Sequence, residues 1–188
     1  MRRYDALRRL PRPSIIVANH NSHLDTIVLF TMLPLPLIRH VRPVAAAEYF
    51  LKNPLLAWFA LRVMGIVPIM RAVAKDADPL AECSFVLQQG GILIFFPEGT
   101  RGEPERFKTF KNGIAHLARR HPDVPIMPVY MHGLGKALPK GEVILVPFFC
   151  DVFVGEQMDW HTHGSEFMRI LDERMRHLAD EGNFATWD

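Results

Sequence analysis

The sequence predicts a single α/β domain in which a mostly parallel, mixed sheet is flanked by helices. Short apolar runs rich in β-branched residues alternate along the chain with longer segments of helical pattern, which is typical of parallel sheets with crossover helices. A length of 188 residues suits one domain with a substantial core. Apolar residues make up 49% and charged residues 22%, and this composition is that of a globular protein.

Seven short runs are predicted as strands. Most are apolar throughout, as expected for strands that are buried on both faces of a sheet. The run ILIFF at Ile92–Phe96 shows this pattern most clearly. In chain order the predicted strands are Ser14–Asn19, Val41–Ala46, Val67–Ile69, Ile92–Phe96, Val124–Tyr130, Glu142–Pro147 and Phe149–Val154.

Five longer segments are predicted as helices. Pro34 ends the first, because proline cannot continue a helix, and Pro54 is expected to bend the second, which has an amphipathic pattern. The third has clear ends, with Asp78 as N-cap, Pro79 at the first position and Gly90 after the last turn. The predicted helices are His23–Leu33, Glu48–Val63, Asp78–Gln89, Asn112–Arg120 and Ser165–Asp180.

Charge and cysteine content exclude two classes of protein. The chain has 22 Lys and Arg against 20 Asp and Glu, so its net charge is only +2, and no nucleic-acid partner is expected. Cys83 and Cys150 are too few for a disulfide framework or a four-cysteine zinc site. This cysteine usage fits a reducing, intracellular setting.

The sequence shows neither a transmembrane helix nor a signal peptide. A helix needs about 20 mostly apolar residues to cross a bilayer, whereas the uncharged stretch from Thr26 to Ile38 is shorter and carries two prolines. The basic start of the chain runs into Pro11 and Pro13 without an apolar segment. We therefore expect a cytoplasmic protein, although a mean hydropathy of +0.06 leaves room for attachment to a membrane surface.

Residues 1–12 are predicted to form a basic arm ahead of a domain that spans residues 13–188. Five arginines against one aspartate give this arm a net charge of +4. Near anionic lipid each such charge contributes about 1 kcal/mol to attachment. A solvated, frayed terminus is an equally good interpretation of the same residues.

A polar cluster with the sequence NHNSHLD, residues 19–25, follows the first predicted strand, where ligands of open α/β sheets bind. His20 and Asp25 cannot meet on a continuous helix, but they can if Ser22 caps a helix that holds Asp25 in its first turn. An aspartate bonded to one imidazole nitrogen leaves the other to accept a proton from a bound hydroxyl. A helix cap beside a loop histidine remains an alternative, and a metal site of His20, His23 and Asp25 is a third.

A second polar cluster, FPEGTR at residues 96–101, follows the strand ILIFF. Gly99 lets the backbone approach a ligand closely, and the planar fork of Arg101 suits a phosphate. Residues 101–121 hold six cations against two acids, and Lys111 precedes a predicted helix whose N-terminus favours anions. The cluster indicates a phosphate-bearing ligand, with a solvated surface loop as the alternative.

Together the two clusters resemble the glycerolipid acyltransferase family, specifically the 1-acylglycerol-3-phosphate (lysophosphatidic acid) acyltransferases. NHNSHLD is similar to the NHxSxxD block of that family, and the later motifs follow in the family's order. The matching blocks are residues 19–25 (NHNSHLD), 65–71 (GIVPIMR), 96–101 (FPEGTR) with 110–113 (FKNG), and 124–130 (VPIMPVY).

The resemblance implies an O-acyltransferase that moves a fatty acyl chain from acyl-CoA or acyl carrier protein to the free hydroxyl of lysophosphatidic acid, giving phosphatidic acid. His20 would be the catalytic base and Asp25 its partner, with direct attack on the thioester and no acyl-enzyme. No cofactor or metal is expected, since the thioester is already activated. The substrate-binding residues that the resemblance implies are Asn19, Ser22, Arg71, Glu98, Gly99, Thr100, Arg101 and Lys111.

Several points stay open in the sequence. The same chemistry could act on another lysolipid such as lyso-ornithine lipid, or His20 could activate water in a thioester hydrolase. Many family members carry hydrophobic helices ahead of the first block, whereas the residues ahead of it here are basic, so we expect peripheral contact with an anionic membrane at its inner face. Glu48–Val63 is a candidate docking surface, but packing in the core is the favoured interpretation of its apolar residues.

Overall fold

In a computed structural model of the protein, a mixed sheet forms the centre of the domain. Its strands are parallel except for one antiparallel edge strand. The structure describes residues 4–22, 24–49, 51, 53–70, 78–100, 107–134 and 150–182. Within these ranges the strands are β1 Ser14–Ala18, β2 Val41–Ala46, β3 Val67–Ile69, β4 Ile92–Phe95, β5 Ile126–His132 and β6 Asp151–Val154. Their order in the sheet is β3-β2-β4-β1-β5-β6, and only the β5–β6 pair is antiparallel among them.

Helices cover both faces of the sheet. They are α1 Tyr4–Arg8, α2 Asp25–Met32, α3 Leu35–Ile38, α4 Pro54–Trp58, α5 Ala81–Gln88, α6 Gly113–Arg120, α7 Trp160–His163 and α8 Phe167–Asp180. A π-helical turn, Phe59–Val63, continues α4, and two 3₁₀ turns occupy Ala47–Tyr49 and Gly164–Glu166.

The alternation of side chains along the central strand divides the core. Ile15 of β1 packs on the face that α5, α6 and α8 cover, whereas its neighbour Ile16 packs on the face that α1 and α2 cover. Both residues are fully buried. This follows from the period of two in a β-strand, and it explains why β1 is apolar at every position after Ser14.

The predicted fold class is confirmed, and six of the seven predicted strands are found within two residues of their predicted ends. The strand predicted at Phe149–Val154 is observed as Asp151–Val154, and residue 149 lies outside the described residues. The strand predicted at Glu142–Pro147 also lies outside them. The prediction of Asp78 as N-cap of the third helix is wrong, because α5 begins at Ala81 with Leu80 as its N-cap. The Asp78 Oδ1 accepts Leu80 N–H at 3.0 Å and so stabilises the turn ahead of the helix.

The continuous helix predicted at Glu48–Val63 is wrong. Proline disfavours helical backbone at the residue before it, and it suits the first turn of a helix. The helix accordingly starts at Pro54, where the Asn53 side chain accepts hydrogen bonds from Leu55 N–H and Leu56 N–H at 3.0 and 3.3 Å. The expectation of core packing is also wrong for the described residues, because Leu55 is 80% and Trp58 60% exposed.

Part of the basic arm is ordered on the domain. Tyr4–Arg8 forms α1, and Leu7 and Leu10 are buried against the same core face as α2. Arg2 and Arg3 lie outside the described residues. The boundary between residues 12 and 13 stays a prediction. Within the described ranges, none of the helices has the length and apolarity that a membrane crossing requires.

Candidate active site

The two polar clusters meet at the carboxyl ends of the two central strands. β1 and β4 are parallel neighbours, with Val17 opposite Phe95 in their register. The chain that leaves β1 therefore comes out beside the chain that leaves β4. The loop at Asn19–Ser22 and the turn at Phe96–Thr100 lie side by side for this reason, although about 75 residues separate them in sequence.

His20 and Asp25 form a hydrogen-bonded pair. The His20 Nδ1 to Asp25 Oδ2 distance is 2.8 Å, and Asp25 sits in the first turn of α2. The same Oδ2 accepts Asn21 N–H at 2.8 Å and Ser22 N–H at 2.9 Å. Asp25 is 1% exposed and His20 22% exposed, so one side of the imidazole is anchored while the ring still reaches solvent.

Ser22 makes the break between loop and helix that the pairing needs. Its Oγ accepts Leu24 N–H at 3.3 Å, and its carbonyl accepts Asp25 N–H at 3.3 Å. The Ser22 amide in turn donates to the Asp25 carboxylate, as described above. These reciprocal bonds resemble a capping box, and they turn the Asp25 side chain back toward His20.

Asn19 fixes the start of this loop to strand β5. Its Nδ2 donates to the Met131 carbonyl at 2.8 Å, and its Oδ1 accepts Met131 N–H at 2.7 Å. The amide side chain thus extends the β1–β5 pairing by one more step after the backbone of β1 has turned away. Asn19 is buried, and its observed contacts are with the scaffold of the site.

Glu98 connects the two clusters directly. Its Oε1 accepts His20 N–H at 3.2 Å, and its Oε2 is buried without a hydrogen-bond partner in the described structure. Burial raises the pKa of Glu98 to about 7, against smaller lowering contributions from the His20 amide and from Lys108. The carboxyl group is therefore partly protonated near neutral pH.

Phe96 is a site residue that the sequence analysis did not single out. Its ring stacks on the His20 imidazole, with a centroid distance of 4.3 Å and an interplanar angle of 26°. This contact covers one face of the ring and restricts its rotation. The sequence does show that Phe96 ends a buried strand. It does not show that this strand, β4, pairs with β1, and the stacking of Phe96 on His20 depends on that pairing.

Gly99, Thr100 and two lysines form the cationic part of the site. Gly99 has φ of +69°, and a Cβ built there would lie 3.0 Å from Lys111 Nζ. The Lys111 amide donates to the Pro97 carbonyl at 2.9 Å, which brings the two segments together. Lys108 Nζ lies 3.4 Å from Thr100 Oγ1, so Lys108 joins the site as a second cation.

The structure therefore places eight of the ten predicted site residues on adjoining segments at one edge of the sheet. Arg71 and Arg101 lie outside the described residues, as does His23, the third ligand of the metal alternative. Among the residues that the structure describes, no group of three or more His, Cys, Asp or Glu is arranged to hold a metal ion.

We expect the free energy of unfolding of Glu98→Gln to increase relative to that of the wild type as the pH rises. The wild-type carboxyl must ionise in a buried site, so the wild-type free energy of unfolding falls as the pH rises from 4.5 through about 7. The neutral amide does not ionise. The difference in unfolding free energy should therefore shift toward the variant by about 2 kcal/mol between pH 5 and pH 8.

Urea unfolding of both proteins across this pH range measures the difference. Glu156→Gln, which changes an exposed carboxylate elsewhere, is the matched control and should show no such trend. A Glu98→Gln difference that stays constant from pH 5 to pH 8 would contradict the prediction.

The fold is a mostly parallel α/β sheet with helices on both faces, and a hydrogen-bonded histidine–aspartate pair lies at the carboxyl ends of its central strands. The chain belongs to the Acyltransferase family, whose model matches residues 2–132.

Sequence similarity to individual acyltransferases agrees with this membership. The chain is 30% identical to the chloroplastic 1-acyl-sn-glycerol-3-phosphate acyltransferase BAT2 of Brassica napus, over 93% of this chain and 48% of that protein. It is 33% identical to the chloroplastic 1-acyl-sn-glycerol-3-phosphate acyltransferase LPAT1 of Arabidopsis thaliana, over 73% of this chain and 37% of that one. The chain thus spans less than half the length of these relatives.

A solved structure shares the fold. The crystal structure of the 1-acyl-sn-glycerophosphate (LPA) acyltransferase from Thermotoga maritima superposes with a TM-score of 0.73 at 26% sequence identity. The match covers 94% of this chain and 68% of that one. The mostly parallel sheet with flanking helices is therefore an arrangement that this relative shares.

Proposed function

We propose that the protein transfers a fatty acyl chain from acyl-CoA or acyl carrier protein to the free hydroxyl of lysophosphatidic acid, giving phosphatidic acid. The observation that carries the proposal is the His20–Asp25 pair at 2.8 Å, beside the turn that holds Glu98 and Gly99, in a member of the Acyltransferase family. The names of its relatives support lysophosphatidic acid as the acceptor.

In the proposed reaction His20 acts as the general base. Because Nδ1 is bonded to Asp25, Nε2 takes the proton from the acceptor hydroxyl, and the hydroxyl oxygen attacks the thioester carbonyl carbon. The carbon–sulfur bond then breaks, and the departing thiolate receives the proton from the imidazolium. Asp25 stabilises the imidazolium between these two steps.

In the proposed complex the lysine-bearing edge of the site binds the acceptor phosphate. Lys111 lies against Gly99, and Lys108 lies beside Thr100. A carboxylate at Glu98 would repel a phosphate, but its raised pKa keeps part of the population neutral near pH 7. Arg71 and Arg101 are proposed as further phosphate ligands on the resemblance alone. Asn19 and Ser22 hold the loop in the shape that the acceptor meets.

The proposal needs no metal or redox cofactor, because a thioester is already activated toward attack by a hydroxyl. It includes peripheral contact with an anionic membrane, since the product and acceptor are lipids and residues 1–12 carry a net charge of +4. A cytoplasmic protein on the inner face of the membrane fits this arrangement.

Release of free thiol from an acyl thioester, with and without lysophosphatidic acid, tests the proposed activity. Release that depends on the acceptor and yields phosphatidic acid is the expected result. Release that is equally fast without acceptor would instead identify a thioester hydrolase. Release that depends on a different lysolipid, such as lyso-ornithine lipid, would keep the chemistry and change the substrate.

Gly99→Ala should raise the KM for lysophosphatidic acid about 5- to 30-fold and leave kcat nearly unchanged. The added Cβ would approach Lys111 Nζ to 3.0 Å and displace the cation that binds the phosphate, and the left-handed backbone adds about 1 kcal/mol of strain. Steady-state kinetics with varied acceptor measures both constants.

Gly164→Ala is the matched control for Gly99→Ala. Gly164 has φ of +51°, but a Cβ there would have no neighbour within 4 Å. This variant carries the same kind of backbone strain without a contact to a cation, so it should leave KM unchanged. An unchanged KM in Gly99→Ala would separate Lys111 from acceptor binding.

A further inference from the structure

An unusual surface lies at the β3 side of the sheet, where a short apolar helix projects from the domain. We call Pro54–Val63, which comprises α4 and the π-helical turn, the apolar segment. Ala60 is its one buried residue. Large apolar residues that cluster in the open usually mark an interaction surface. Those exposed on and next to the segment are Leu51, Leu55, Leu56, Trp58, Phe59, Leu61 and Val63.

A cleft lined by arginines borders the apolar segment. The cleft has a volume of about 400 Å³ and lies between the π-helical turn and the start of β2. Among the residues that the structure describes, its lining includes Arg39, Arg42 and Arg62 and no carboxylate. Arg42 is held in place there, since its Nη1 donates to the Arg39 and Val41 carbonyls at 2.9 Å each. Its side chain packs over Gly65, whose missing Cβ leaves the room.

The chain around this surface carries an excess of cations, with Glu48 directly ahead of it. Residues 49–75 contain two lysines and two arginines and no aspartate or glutamate. Desolvation, and then the charges of Arg12, Arg39 and Arg42, lower the pKa of His40 at the rim of the cleft. The surface therefore combines exposed apolar side chains with a positive potential. This combination is typical of a helix that lies in the interface of an anionic membrane.

This pattern fits a bilayer better than a second copy of the chain. A twofold-symmetric contact places the same patch on both sides, so it would set arginines against arginines, with Glu48 as the one carboxylate among residues 48–75. An anionic bilayer offers hydrocarbon for the apolar residues and phosphates for the arginines. The chain enters the apolar segment from the carboxyl end of β2, the sheet edge that carries His20 and Glu98, whereas the arginine cleft lies at the opposite edge, beside the start of β2.

We infer that the apolar segment inserts Leu55, Trp58 and Phe59 into an anionic bilayer, while Arg39, Arg42 and Arg62 bind the phosphates of lipid headgroups in the adjoining cleft. The inference names the surface for the proposed membrane contact and rests on that part of the proposed function, not on acyl transfer.

Sedimentation with lipid vesicles tests the inference without any acyl donor. The full chain is mixed with vesicles of phosphatidylcholine alone or with added phosphatidylglycerol. Leu55→Gln/Trp58→Gln should lower the partition coefficient on anionic vesicles at least about tenfold. Arg39→Gln/Arg62→Gln should lower it about tenfold on anionic vesicles, with little change on neutral ones. Phe85→Gln, at a residue that is 57% exposed on α5, is the control and should bind as wild type does.

Contact can also be observed directly. In a Trp160→Phe/Trp187→Phe background Trp58 is the remaining tryptophan, and brominated phospholipids should quench its fluorescence. Unchanged binding by the Leu55/Trp58 variant, or binding that depends on the arginines of residues 1–12 instead, would overturn the inference. So would a dimer in sedimentation velocity that the Leu55/Trp58 variant dissociates, because a second copy would then cover the segment.

The outcome stays separable from that of the catalytic proposal. Short-chain lysophosphatidic acid that stays monomeric in water reaches the site without a bilayer. The Leu55/Trp58 variant should turn it over at the wild-type rate. Loss of vesicle binding with normal turnover supports the docking surface, whereas absence of turnover in both proteins would reject the catalytic proposal alone.

Discussion

His20→Ala should lower kcat for acyl transfer by about 10²–10⁴-fold, the range typical for loss of a general base. The imidazole is the titratable group that Asp25 orients at 2.8 Å while 22% of its surface stays open to a substrate. Binding of lysophosphatidic acid should persist, because the lysines beside Gly99 and Thr100 are untouched. Thiol release at saturating acceptor, together with equilibrium binding of the acceptor, measures both effects.

His161→Ala is the matched control, since His161 is an exposed histidine outside the site. It should retain wild-type turnover. Circular dichroism checks that His20→Ala is folded, and partial recovery of its activity by added imidazole would identify the missing group as a base. Near-wild-type turnover by His20→Ala would reject the catalytic role of this residue.

Much of the central fold follows from the sequence because buried parallel strands have a simple pattern. Ser14–Ala18 and Ile92–Phe95 are apolar on both faces, so their limits are recognisable without knowledge of their neighbours. The position of the candidate site follows as well, since polar residues directly after such strands lie at one edge of the sheet. The Ser22 and Asp25 spacing carries enough local information to predict the turn that brings Asp25 to His20.

Other features depend on contacts that a local pattern does not contain. The bond from His20 N–H to Glu98 and the stacking of Phe96 on His20 require β4 to pair with β1, although two other strands lie between them in sequence. The apolar segment shows the same limit differently. The apolar pattern of this segment predicts side chains that are buried away from water. Whether the rest of the domain buries them depends on where the segment lies in the fold, and in this structure they are exposed.

Asp25→Asn should lower kcat about 10²–10³-fold while the loop keeps its shape. The amide oxygen can still accept the bonds that Oδ2 receives from His20 Nδ1, Asn21 N–H and Ser22 N–H. A neutral amide, however, cannot stabilise the imidazolium that forms when His20 takes the acceptor proton. The effect should fall on kcat more than on the KM for the acceptor.

The same substitution should also cost about 1–3 kcal/mol of stability. The amide nitrogen would replace Oδ1, a buried atom that has no hydrogen-bond partner in the described structure. Activity must therefore be measured well below the melting temperature of the variant. Asp172→Asn, which changes a half-buried carboxylate that pairs with Arg176 on α8, is the control and should affect neither constant.

A double substitution separates a role through His20 from an independent role of Asp25. If Asp25 acts by supporting the imidazolium, His20→Ala/Asp25→Asn should be no slower than His20→Ala alone, because the carboxylate then has nothing to stabilise. Multiplicative losses in the double variant would assign Asp25 a separate function in the site. Wild-type kcat in Asp25→Asn would show that orientation by hydrogen bonds suffices and that the charge of Asp25 contributes nothing to the reaction.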